Sequence, residues 1–178
     1  MPDLLWSDVE DWFDPDMNGT LPDVCVPDAG AADWTAVFDL IRSRGWAYQY
    51  SEDNQPMRIP ADLGEIFNRD TRPSVMLKVW PDRKFLAIFW LLDITTIDFD
   101  VDIRELQGQD QLDHLCRFLR TIGRRLHKPV LLSPEGYTPT ITPILGYNVT
   151  QDRVILLREH PKLTEQPQHG PTRRKDAS

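Results

Sequence analysis

The first forty-one residues contain no lysine and no arginine. They carry ten acids instead: Asp3, Asp8, Glu10, Asp11, Asp14, Asp16, Asp23, Asp28, Asp33 and Asp39. The rest of the chain holds the other 18 acids against 20 bases, so the whole formal charge of −8 comes from the first quarter. A nucleic-acid binder needs a basic footprint, and this layout excludes direct nucleic-acid binding. No apolar run approaches the eighteen residues of a membrane span. The opening MPDLLWSDVEDWF lacks a basic n-region and does not read as a secretory signal. Cysteine is scarce: Cys25 and Cys116 give neither a disulfide framework nor a zinc spacing, and read as two buried thiols in a reducing cytoplasm.

Catalytic signatures are missing too. There is no HExxH, no G-x-S-x-G, no P-loop and no G-x-G-x-x-G. The four histidines, His114, His127, His160 and His169, are scattered. No cofactor and no metal site is expected.

What is present suits one domain. Apolar residues make up 40% and charged residues 27%, ordinary globular usage for 178 residues. The pattern predicts a short helix over 3–13, a strand at Val24–Val26, and a helix from Asp28 or Gly30 to Arg44 with the stripe Trp34, Val37, Phe38, Ile41. A strand over Trp46–Tyr50 and a short helix over Ala61–Asn68 follow. Val75–Trp80 and Lys84–Leu92 form a hairpin. The run FLAIFWLL is apolar almost throughout, so that strand is expected to be central and covered on both faces. Ile97–Ile103 alternates, with Asp98, Asp100 and Asp102 outward. The longest helix, 109–127, buries Leu112, Leu115, Cys116, Leu119, Ile122 and Leu126. Val130–Leu132 and a hairpin of Ile144–Val149 with Val154–Leu157 complete the order. Residues 160–178 read as a mobile tail.

The fold class is therefore α+β: a mostly antiparallel sheet with two main helices in one domain, 1–159. Strand, helix, strand, strand, strand recurs over 21–92 and 97–158, which suggests a tandem duplication with a groove between the halves.

Three clusters invite chemistry. In DPDMNGTLPD, Asp14, Asp16, Asn18 and Gly19 match the early positions of a calcium loop, but Cys25 stands where a bidentate Glu belongs. The stretch reads as a turn. The Asp98, Asp100, Asp102 ladder spaces its acids about 7 Å apart, wide for one ion. It reads as an edge-blocking or partner-facing surface. Arg117, Arg120 and Arg124 line one side of the long helix, where they either grip an anion or pair with local acids. Of six tryptophans, Trp34, Trp46 and Trp90 read as buried, while Trp6 and Trp12 flank the acidic stretch.

The pattern L-x-x-I-G-x-x-L-x-K-P-V-x-L-S-P-E over Leu119–Glu135, followed by P-I-L-G-Y-N-V-x-x-D-R-V, resembles small bacterial toxin-neutralising immunity proteins. That resemblance implies a basic toxin domain as partner. It carries over no individual functional residue. The expected function is a non-enzymatic cytoplasmic protein-binding module that engages a basic protein through Trp6, Asp8, Glu10, Asp11, Trp12, Asp14 and Asp16, with Asp98, Asp100 and Asp102. The alternative is a ligand-binding or enzymatic domain whose pocket, between the halves, is lined by Trp46, Tyr48, Trp80, Trp90 and Arg120.

Overall fold

The computed structural model describes residues 1–71 and 73–161. The predicted tail lies almost wholly outside the described residues. The elements run α1 (Trp6–Val9), a 3-10 turn (Glu10–Phe13), α2 (Pro15–Asn18), β1 (Asp23–Val26), α3 (Ala31–Ser43), β2 (Ala47–Glu52), β3 (Gln55–Pro56), α4 (Gly64–Phe67), β4 (Val75–Asp82), β5 (Phe85–Asp93), β6 (Thr96–Val101), α5 (Gln109–Leu126), β7 (Val130–Ser133), β8 (Leu145–Asn148) and β9 (Arg153–Leu156). The nine strands form one sheet in the order β3-β2-β4-β5-β6-β1-β7-β8-β9. Every neighbouring pair is antiparallel. The α+β class with two main helices is thus what the chain adopts.

The core lies between one face of this sheet and the helices. Leu77, Val79, Ala87, Phe89, Ile97, Phe99, Val24, Val130 and Leu132 alternate inward along their strands and meet the apolar stripes of α3 and α5. Phe118 of α5 centres the contact, with ring centroids 5.3 Å from Trp46, 5.2 Å from Phe85 and 5.6 Å from Phe99. Gly123 lets α5 settle onto β8, because a Cβ there would stand 2.0 Å from the Tyr147 ring. Between the ends of the helices, Lys128 reaches Asp33 at 2.8 Å, while Asp33 also accepts the Gly30 N–H at the start of α3.

Two expectations change in the folded chain. The strand-helix-strand-strand-strand order does recur, but its strands are laid out differently. After α3 the chain crosses to the far side of the sheet at β2 and returns through β4 and β5. After α5 it enters beside the centre at β7 and moves outward. β1 of the first half sits between β6 and β7 of the second. The halves share one continuous sheet, and the space between them is small: a cavity of about 160 Å³ bounded by Trp46 and Phe85 of the first half and His114 and Phe118 of the second. The second change concerns β5. It is central, yet only Phe85, Ala87, Phe89 and Leu91 are buried in the core. Leu86, Ile88 and Trp90 lie half-exposed on the other face.

Candidate functional site

The acidic N-terminal segment folds as three short turns anchored from one side. Leu4, Val9 and Phe13 point into the core, and Trp6 packs on Phe13 at 5.7 Å. Gln109 receives the Trp6 N–H at 2.7 Å and donates to the Leu4 carbonyl at 3.0 Å, while Gln107 donates to the Phe13 carbonyl. Asp3 ties the start of the chain to Arg120 at 3.0 Å and to the β9 backbone at Val154. With Leu4, Val9 and Phe13 turned inward, the segment presents most of its acids outward. Asp8, Glu10, Asp11 and Asp16 are exposed. Among the described residues, no lysine or arginine forms an ion pair with any acid from 8 to 16.

The calcium-like stretch is a turn here. Pro15 occupies the first position of α2, and the Asp14 carboxylate caps that helix by accepting the Asp16 N–H at 2.9 Å. Gly19 has φ 75°, and a Cβ on it would lie 2.3 Å from the Glu135 carboxylate. That carboxylate accepts from the N–H groups of Thr20 and Leu21 at 2.7 and 3.2 Å. Glu135 therefore closes the loop where a cation ligand set was conceivable. Among the described residues, no three His, Cys, Asp or Glu side chains gather in a group that could hold a metal.

Next to this turn lies a cleft of about 760 Å³. One wall is Asp11, Trp12, Asp14 and Met17. The other is Tyr137, Thr142 and Ile144 from the loop after β7, and Arg158 and His160 close it. Trp12 is held in place by its indole N–H, which donates to the Arg158 carbonyl at 3.3 Å, and by an edge contact with His160 at 4.6 Å. Met17 and Tyr137 remain 64% and 58% exposed, so the apolar walls face solvent beside the carboxylates of Asp11 and Asp14, with Arg158 in the same lining.

The remaining predicted residues scatter. Asp98 and Asp100 stand on the sheet face away from the helices, where Asp100 accepts the Trp90 indole N–H at 2.7 Å. Asp23 lies directly across from Asp100 in the β1–β6 register. Burial raises the Asp100 pKa to about 6 against the pull of the Trp90 bond, and the neighbouring acids add to the rise. Burial likewise raises Asp23 and Asp98. Asp102 is different: it lies past the end of β6, caps the turn at 103–105 and pairs with Arg104 at 2.6 Å.

The residues of the alternative pocket do not meet. Trp46 packs on Phe118 under the helices. Tyr48 is 42% exposed at the edge of that layer. Trp80 and Trp90 are on the opposite face of the sheet, and Arg120 is engaged with Asp3. Of the other helix arginines, Arg124 grips Asp152 with two bonds of 2.6 Å. The buried thiols of Cys25 and Cys116 are both pushed up to about 12, chiefly by burial, so neither is a nucleophile near neutral pH.

Sequence reasoning missed Asp23, Glu135, Met17, Tyr137 and Arg158. Asp23 and Asp100 are 77 positions apart, and their meeting depends on the β1–β6 register. Tyr137 and Arg158 belong to segments without periodicity. Compared with known proteins, the chain matches no family model, no curated protein and no solved structure.

Proposed function

We propose that this chain is a non-enzymatic, cytoplasmic protein-binding module whose partner is a basic protein, seated at the cleft between the acidic N-terminal turns and the loop after β7. One observation carries the reading: acids on an apolar-walled cleft, with Asp11 and Asp14 in its wall, form no ion pair among the described residues. Rim charges of one sign steer an oppositely charged partner and fix its orientation. Trp12, Met17 and Tyr137 supply the apolar and aromatic anchors on which binding energy concentrates. The resemblance to immunity proteins makes a basic toxin domain the partner class.

The test is a tagged pull-down of the chain, eluted by a salt gradient, beside the variant Asp8→Lys, Asp11→Lys, Asp16→Lys. These three side chains are exposed and hold no core contact, so the fold survives their reversal. A stoichiometric basic protein that elutes with salt from the wild type and is absent from the variant is expected. A partner retained equally by both would overturn the reading.

A further inference from the structure

The outer face of the sheet is built for cover that the described residues do not supply. In an antiparallel sheet covered on one side, the outward positions are ordinarily polar. Here the outward positions of β4 and β5 are Met76, Lys78 and Trp80, then Leu86, Ile88 and Trp90, with Leu92 beyond them 62% exposed. None of the apolar ones joins the core cluster. The run FLAIFWLL is a strand written for burial on both faces, and among the described residues its outward side chains Leu86, Ile88 and Trp90 are left partly exposed. A contiguous apolar face of this kind marks an interaction surface.

The strands beside it say what chemistry the missing cover has. Register places Ile88 against Asp100 and Trp90 against Asp98, then Asp100 against Asp23. The apolar strip therefore borders three carboxylates. No ion pair among the described residues neutralises them. The nearest outward base is Lys78, in the same row as Asp100 with Ile88 between, roughly 10 Å away at ordinary strand spacing. A second copy of the chain would bring one Lys78 against three carboxylates and a net charge of −8 against another −8. Self-association through this face leaves buried carboxylates unpaired, which is costly. A foreign segment that carries both apolar groups and cations satisfies the strip and the acids together.

We propose that the outer face of β4, β5, β6 and β1 is a second docking surface for a basic, amphipathic protein segment, with apolar side chains seated on Met76, Ile88 and Trp90 and a lysine or arginine seated between Asp98 and Asp100. It extends the cleft reading to a separate surface and does not depend on the cleft being occupied.

Two indole N–H groups report the two surfaces separately: Trp90 is bonded to Asp100 on the open face, and Trp12 to Arg158 in the cleft. The full-length, nitrogen-15-labelled chain is titrated, above neutral pH, with a capped pentapeptide alternating leucine and arginine. The control peptide has glutamate in place of arginine. The Trp90 signal is expected to shift saturably with the arginine peptide alone. The double variant D98N/D100N is expected to bind it at least about tenfold more weakly, with its other amide signals in place. Asparagine at 100 keeps an acceptor for the Trp90 indole, so the variant removes charge rather than geometry. A Trp90 signal that stays put, or that moves equally with both peptides, overturns the open-face proposal. So does a dimer in sedimentation that protects Trp90. The Trp12 signal judges the cleft independently.

Discussion

At residue scale, Asp100 carries the sharpest electrostatic consequence. Its carboxyl sits between β5 and β1 on the outer face, bonded to the Trp90 indole and facing Asp23 across the strands. Burial lifts it from 3.8 to about 6. The folded chain thus takes up this proton before the unfolded chain does. Its contribution to stability is complete below the unfolded value and is lost as pH rises through about 6. Asp23 and Asp98, also raised, act in the same direction. Asp100→Asn removes the charge and keeps the acceptor. The variant is expected to gain, relative to wild type, up to about 1 kcal/mol between about pH 5 and pH 8, after a discount for partial exposure. Urea midpoints of both proteins at the two pH values check this. A variant no more stable than wild type at the higher pH would show that the carboxylate is compensated.

At the scale of elements, α5 makes the packing argument. Its stripe was legible because the apolar residues recur at helical spacing over 18 residues, and the structure buries all of them. Gly123 was not legible as a contact, since its partner Tyr147 belongs to a strand 24 positions on. Gly123→Ala adds a methyl group into a ring that is 4% exposed and also bonded through its hydroxyl to Asp152. Overpacking costs about 1–3 kcal/mol, and the helix gains about 1 kcal/mol from alanine. With the contact at 2.0 Å the cost falls at the upper end of that range, so a net loss of about 2 kcal/mol is expected, read as a melting temperature lower by a few degrees. An unchanged melting temperature would mean that β8 shifts freely. β5 was legible in part: its apolar run announced a central strand, but the run does not say which face the chain itself covers. The loop 134–144 and the segment 157–161 have no period at all, so the cleft wall they supply could not be placed. The N-terminal wall could be, because ten acids without a base stand out in composition alone.

At the scale of the whole molecule, charge stands on the N-terminal turns and anchorage in the wall of the cleft beside them, and that division predicts kinetics. Asp8, Glu10, Asp11 and Asp16 stand exposed on the N-terminal turns, while Trp12 and Met17 line the wall with apolar surface. Exposed charges act at a distance and are screened within about 10 Å at 0.1 M salt. They raise the rate of encounter and contribute little once the partner is seated. A seated aromatic anchor acts mainly on dissociation. With the basic partner captured through the cleft, Asp8→Asn with Asp11→Asn and Asp16→Asn is expected to lower the association rate by about tenfold at low salt and to flatten its salt dependence, leaving dissociation within about twofold. Trp12→Ala is expected to do the reverse, speeding dissociation by at least about tenfold with association nearly unchanged. Surface-plasmon traces over a salt series separate the two. If both variants change only dissociation, the acids are contact residues and not a steering field, and the asymmetry of charge along the chain then acts through local pairing at the cleft.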